Sequence, residues 1–212
     1  MRLYLASTSP ARLATLRAAG IEPVPISPHV DEEGLVAAVE EREARRLGAA
    51  EMVELLARAK AEAILGRRVD DEPIEGLILG GDSAFLFDGE IYGKPHLPEV
   101  ARERWLRQSG RSGELYSGHW LIDHRGGQPG AASGAVASAR VSFAELDEFE
   151  IDAYIASGEP LKVAGAFTID SLGGPFIRSV EGDPSTVIGL SLSTLRDLVR
   201  GVGVEWTTLW NR

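Results

Sequence analysis

The stretch "LGGDSAFLFDGEIYGKP", Leu79 to Pro95, restricts the fold more than any other part of the chain. An apolar run meets two glycines and then a bare carboxylate, Asp82, at a place where bulky neighbours are excluded. That pattern predicts Asp82 near the end of a strand. Asp88-Gly89 follows, and both central positions of a type I′ turn need positive φ, so the dipeptide signals a two-residue hairpin. The return arm carries Lys94, held between Gly93 and Pro95. A carboxylate and an ammonium are therefore expected near each other at one rim.

The rest of the chain supplies both strands and helices. Leu3–Ala6 reads as a buried strand, followed by "STSPAR", where Ser9 is a helix N-cap and Pro10 occupies the first helical position. Residues 34–66 are helical, with Gly48 as the break. Met52, Leu55, Leu56, Ala59 and Ala63 follow the i, i+3, i+4, i+7 stripe of an amphipathic helix. "RRVDDEPIEG" reads as a polar loop, and a short helix is expected from Pro98 to Ser109. Leu115–Ile122 and Ala135–Phe143 read as antiparallel strands around a glycine-rich tip. Asp147 and Glu150 form a capping box for a helix ending at Gly158. The segment from Ala164 to Leu192 is expected to hold two short strands, before a last helix from Ser193 to Arg200. This mixture without strict βαβ alternation predicts an α/β fold: a mixed twisted sheet with flanking helices in one domain.

Composition narrows the chemistry. The chain has 212 residues, 44% of them apolar, enough to bury a substantial core. Its net charge of −10, from 32 acidic against 22 basic residues, repels polyanions and argues against nucleic-acid binding. Small anions remain admissible where a few cations converge. The absence of cysteine removes disulfides and thiolate chemistry and fits a cytoplasmic setting. No apolar stretch approaches the ~18 residues of a membrane span, and the N-terminus lacks the apolar core of a secretory signal.

Four clusters could carry chemistry, and each has a plainer reading beside it. "ASTSPAR" offers Ser7, a helix N-terminus and Arg12 to an anion; Ser9 as a simple cap with Arg12 solvated is the alternative. In "HVDEEG", adjacent carboxylates including Glu32 could hold a divalent cation, or merely complement the dipole of a following helix. His29, His96, His119 and His124 show no i, i+4 pairing, so oxygen ligands, and hence magnesium or manganese, fit better than zinc. Lys60 lies at the edge of the apolar stripe, as a site residue or as a snorkelling lysine. Asp82 with Lys94 is the fourth.

Taken in order, these blocks resemble the Maf family of nucleoside triphosphate pyrophosphatases over nearly the whole chain. "LYLASTSPARLATLRAAGI", "VDEEG", "LARAKAEA", "GGDSAFLFDGEIYGKP", "QSGRSGELYSGHWLI" and the block from Tyr154 to Leu192 each look like a family signature. The resemblance implies two lobes around a nucleotide cleft, as in Maf and ITPase-like folds. It implies hydrolysis of a nucleoside triphosphate to monophosphate and pyrophosphate with a divalent cation, Mg2+ or Mn2+, and a possible homodimer. Carried over, Asp82 is the catalytic acidic residue, which orients or deprotonates the attacking water, Glu32 and Asp82 frame the metal, and Ser7, Arg12, Lys60 and Lys94 meet the phosphates. The chain departs from the pattern at Ala11, Ser83, Val163, Phe167 and Asp170, the last standing where a glutamine associated with the site is usual. Asp170 is thus a candidate for specificity. A nucleotide-binding regulator of cell division with little catalysis is the competing reading; a phosphomonoesterase is disfavoured because no "D-x-D" arrangement occurs.

Overall fold

The structure is a computed structural model that describes all residues, 1–212. In chain order, β1 (Leu3–Ala6) leads into α1 (Pro10–Ala18), β2 (Val24–Pro25), α2 (Glu32–Glu43) and α3 (Ala49–Glu62). Two short strands follow, β3 (Arg68–Val69) and β4 (Glu72–Pro73), then the long β5 (Gly76–Phe87), β6 (Glu90–Tyr92) and α4 (Pro98–Gln108). The chain continues with β7 (Ser112–His124), β8 (Ala132–Phe143), α5 (Glu148–Ala156), β9 (Ile177–Glu181), α6 (Pro184–Ile188) and α7 (Leu192–Gly201). The main sheet is seven-stranded, in the order β2-β1-β5-β7-β8-β9 with β6 also paired to β5. β1 runs parallel to β2 and β5, while β6 is antiparallel to β5 and β9 to β8. The expected mixed α/β fold is present.

Two compact units divide the chain. The first comprises Met1–Asp82, Ser117–Ala137 and Gly189–Arg212. Its two cores follow the period of two along β1 and β5. Leu3, Leu5, Leu77 and Leu79 join Leu16, Leu121, Leu190, Leu195 and Val199 in one cluster. Tyr4, Ala6 and Ile78 join Ala61, Ile64 and Ile122 in the other. The second unit, Ser83–Tyr116 and Ser138–Ile188, is built on aromatic side chains. Phe167 stands edge-on to Phe85 and Phe143 at 5.1 and 5.0 Å, and Trp105 packs edge-on to Tyr154 at 5.5 Å. Such edge-to-face geometry matches the ring quadrupoles.

Local signals explain most element ends. Ser9 caps α1 with Pro10 at its first position, and Gly48 begins α3. Asp147 and Glu150 form the reciprocal capping box of α5. Asp88 and Gly89 take φ of 50° and 78°, and Phe87 pairs with Glu90, so the expected tight hairpin is there.

Three expectations need correction. "RRVDDEPIEG" contains a small antiparallel ribbon, β3 with β4, turned by Asp70 and Asp71 at positive φ. The segment from Ala164 to Leu192 holds one strand, β9, with 3₁₀ turns at 164–166 and 174–176 and the short helix α6. The glycine at position 165, with φ of 73°, breaks the extended run between Val163 and Phe167. Finally, α2 begins at Glu32, ahead of Gly34, because Asp31 supplies the cap through Oδ1 to the Gly34 amide at 3.0 Å.

Candidate functional site

The site is built at the carboxyl end of β1, where in parallel sheets the chain turns out toward ligands. β1 pairs with β5 only as far as Ala6 opposite Gly80. β5 itself does not stop there. Asp82 sits in mid-strand, two residues past that last pair, so the expected strand end belongs to β1 rather than to the strand carrying the carboxylate. By strand alternation, Asp82 shares the face of Ile78 and Gly80.

Gly80 sets the distance to that face's helix. A Cβ there would lie 2.0 Å from the Ala57 carbonyl oxygen and 2.8 Å from the Ala61 nitrogen, so α3 can lie on β5 only over a glycine. Lys60 stands between those two contacts on α3, on its buried face with Val53, Leu56, Ala57 and Ala61. Its ammonium reaches Asp82 Oδ1 at 2.6 Å and Glu32 Oε1 at 2.8 Å. Lys60 and Asp82 are 7% and 8% exposed, so this is a buried ion pair, whereas the Glu32 side chain remains 46% exposed. Lys60 is therefore no snorkelling lysine. The acidic turn serves both readings at once: Asp31 caps α2, and Glu32 turns to the ammonium.

Arg12 comes from the first turn of α1 and is 8% exposed. Its Nε donates to the Gly189 carbonyl at 2.8 Å, and Nη1 donates to Ser7 Oγ at 3.1 Å. Ser7 Oγ also accepts the Ser9 amide at 3.1 Å. A Cβ at position 81 would lie 3.2 Å from Arg12 Nε, so the second glycine leaves room for the guanidinium as the first does for α3. Ser9 caps the helix as the plain reading had it, but Arg12 is folded inward rather than solvated.

Burial dominates the electrostatics. It raises the Asp82 pKa above the ordinary carboxylate value; Lys60 and Arg12 pull it back down, and Glu32 adds to the rise. Burial lowers the Arg12 pKa against the opposing pull of Asp82 and Glu32. Five residues anticipated from the sequence thus form one cluster: Ser7, Arg12, Glu32, Lys60 and Asp82.

Lys94 and Asp170 belong to the second unit. Lys94 lies exposed two residues beyond the end of β6. The cation in contact with Asp82 is Lys60, not the lysine of its own hairpin. Asp170 is exposed within a segment gathered by Glu159. The Glu159 carboxylate accepts from Tyr154 Oη at 3.0 Å, Thr168 Oγ1 at 2.6 Å and Ser171 Oγ at 2.7 Å. It also accepts the Leu172 and Gly173 amides at 3.2 and 3.0 Å. Burial pushes its pKa up, but these donors outweigh it and hold the group down at about 2. Phe167 is core, which suits a ring without a hydroxyl. Sequence reasoning missed Gly189 and Glu159: a backbone carbonyl has no side-chain signal, and Glu159 gains its donors from residues 5 to 14 positions away.

Glu32 and Asp82 both reach one cationic point, which fits a hard divalent ion. No group of three His, Asp or Glu gathers anywhere in the chain, so two carboxylates would leave most coordination positions to water and phosphate oxygens.

The chain thus presents a mixed α/β fold with buried carboxylate, ammonium and guanidinium beside a strand-to-helix turn. The family is specific: a model described as Maf-like protein matches residues 2–202, and the chain belongs to that family. Over 212 residues it is 70% identical to a protein of Leifsonia xyli subsp. xyli (strain CTCB07) named nucleoside triphosphate pyrophosphatase, spanning 100% of this chain and 98% of that one. A Nocardia farcinica (strain IFM 10152) protein of the same name is 49% identical over 208 residues, 98% and 96% of the two chains. Among solved structures, the Staphylococcus aureus Ham1 protein aligns with a TM-score of 0.47 and 12% identity over 95% of this chain and 100% of that one.

Proposed function

We propose that the chain is a nucleoside triphosphate pyrophosphatase that cleaves the α–β phosphoanhydride to a nucleoside monophosphate and pyrophosphate, a housekeeping reaction on the nucleotide pool. The observation that supports this reading most is the Lys60 ammonium bridging Asp82 and Glu32 in the cluster that also buries Arg12. The names of the family relatives point the same way.

In this reading Asp82 is the catalytic residue. Its carboxylate orients a water, takes a proton from it, and the water oxygen bonds to the α-phosphorus as the bond to the α–β bridging oxygen breaks. Burial makes Asp82 a stronger base than an exposed aspartate. Arg12 and Lys60 neutralise phosphate oxygens, with Ser7 orienting the guanidinium and the amides of the α1 N-terminus adding donors. Lys94 joins them as a phosphate ligand and Asp170 reads the base, both on the resemblance of their motifs. A divalent cation held by Glu32 and Asp82 would supply charge neutralisation on the phosphates. No helix is long and apolar enough to cross a membrane; a cytoplasmic setting and a homodimer belong to the same proposal.

Purified protein with magnesium or manganese is to be given standard and modified triphosphates, scoring monophosphate and pyrophosphate separately from orthophosphate. Pyrophosphate in step with monophosphate is expected. Orthophosphate alone, or binding without turnover, would remove the reading.

A further inference from the structure

His119 lies on β7 and is fully buried. By alternation along the strand it shares the face of Leu121, which joins the core that also contains Leu190 and Leu195. An apolar side chain at 119 would extend that core, so an imidazole there must offset the desolvation of two ring nitrogens. Both have partners. Nδ1 lies 3.3 Å from the Ala135 carbonyl oxygen, which can only accept, so Nδ1 carries the proton. Nε2 is then the lone-pair side, and it accepts the Ser191 amide at 2.9 Å. The contacts select one neutral tautomer.

Ser191 follows Gly189 by two residues, and the Gly189 carbonyl is what receives Arg12 Nε at 2.8 Å. Gly189 sits at φ of 114°, a backbone state closed to most residues, between the end of α6 and the start of α7. Leu190 between them is fully buried in the core. One side chain on the sheet therefore holds the amide two residues past the carbonyl that receives the guanidinium.

We infer that His119 is a positioning residue for Arg12, acting through the Ser191 amide and the Gly189 carbonyl. This rests on the reading of Arg12 as a phosphate ligand. Its functional consequence is on triphosphate affinity: a guanidinium loosened from Gly189 loses aligned donors to the phosphates in the ground state.

The test compares His119→Leu with His119→Gln, whose amide oxygen can accept the Ser191 N–H at the reach of Nε2. Proton exchange at Arg12 Nε–H is read by NMR, and kcat and KM for a triphosphate are measured beside it. Expected are loss of Arg12 Nε–H protection in the leucine variant, with KM up about tenfold and kcat changed less, and retention of both in the glutamine variant. In an Arg12→Lys background the leucine change should add almost nothing to KM, whereas a general loss of packing would add its full effect. Unchanged Nε–H protection in His119→Leu overturns the inference, whether or not the protein is active. Lost protection with unchanged KM in an active protein overturns its functional half. If wild type releases no pyrophosphate, the proposed reaction fails and the exchange arm still decides the clamp. Should His119→Leu not fold, His119→Asn, too short to reach Ser191, takes its place beside the glutamine variant.

Discussion

Lys60 Nζ lies 2.6 Å from Asp82 Oδ1, both side chains are almost wholly removed from solvent, and the same ammonium reaches Glu32 at 2.8 Å. A lysine on a helix and an aspartate on a strand, 22 residues apart, are thus one buried electrostatic unit. Removing the ammonium leaves the buried Asp82 carboxylate without its hydrogen-bonded partner. Lys60→Met should lower stability by about 3–5 kcal/mol in urea titrations, and adding Asp82→Asn should recover part of that loss. A purely additive double variant would mean that the two groups are not coupled.

Asp82→Asn should keep the fold and lower kcat by at least about 100-fold, the lower range of general-base contributions. Because burial raises the Asp82 pKa, the working carboxylate is lost as pH falls through a value above the ordinary aspartate range. The acidic limb of kcat/KM, which reports the free enzyme, should lie correspondingly high. An acidic limb at the value of a free aspartate would contradict the burial argument.

The adjacent glycines should respond differently to a methyl group. Gly80→Ala sets Cβ 2.0 Å from the Ala57 carbonyl, which is backbone and cannot swing aside, so α3 and Lys60 must move. A stability loss of about 1–3 kcal/mol accompanies such overpacking, and activity should fall with it. Gly81→Ala meets Arg12 Nε at 3.2 Å, an overlap that a shift of the guanidinium by a few tenths of an ångström relieves without moving backbone. Its expected effect is a rise in triphosphate KM with little change in melting temperature.

Glu159→Gln replaces a carboxylate receiving five hydrogen bonds with an amide that offers one oxygen. The folded pKa of about 2 is depressed below the unfolded value. The stabilisation from Glu159 is therefore complete above about pH 4.5 and is lost as pH falls toward 2. With solvent screening taken into account, about 1–2 kcal/mol should disappear in the variant at pH 7. Its stability curve between pH 5 and 2 should be flatter than that of wild type. Equal curves would show that the Thr168–Gly173 segment is held by other means.

Several features could be read from the chain because their physics is local. The Pro10 helix start, the Asp147–Glu150 box and the Asp88-Gly89 turn each depend on two to four neighbouring residues. Lys60 was visible as a misfit at the edge of an apolar stripe, and Glu32 as a member of an acidic turn. Their meeting was not visible, since nothing in either stretch states which strand α3 will cover.

The segment from Ala164 to Leu192 shows the opposite case: two strands are expected there, and the fold sets 3₁₀ turns at 164–166 and 174–176 and a short helix around the one strand that forms. By itself, then, the sequence determined the mixed α/β class, the ends of most helices and the residue types at the site. Tertiary structure alone decided that Asp82 pairs with Lys60, that Arg12 turns inward to the Gly189 carbonyl, and that a buried histidine holds the amide two residues past it. The physical reason is that a desolvated charge takes its partner from whatever the fold brings within about 3 Å, and sequence separation does not enter that distance.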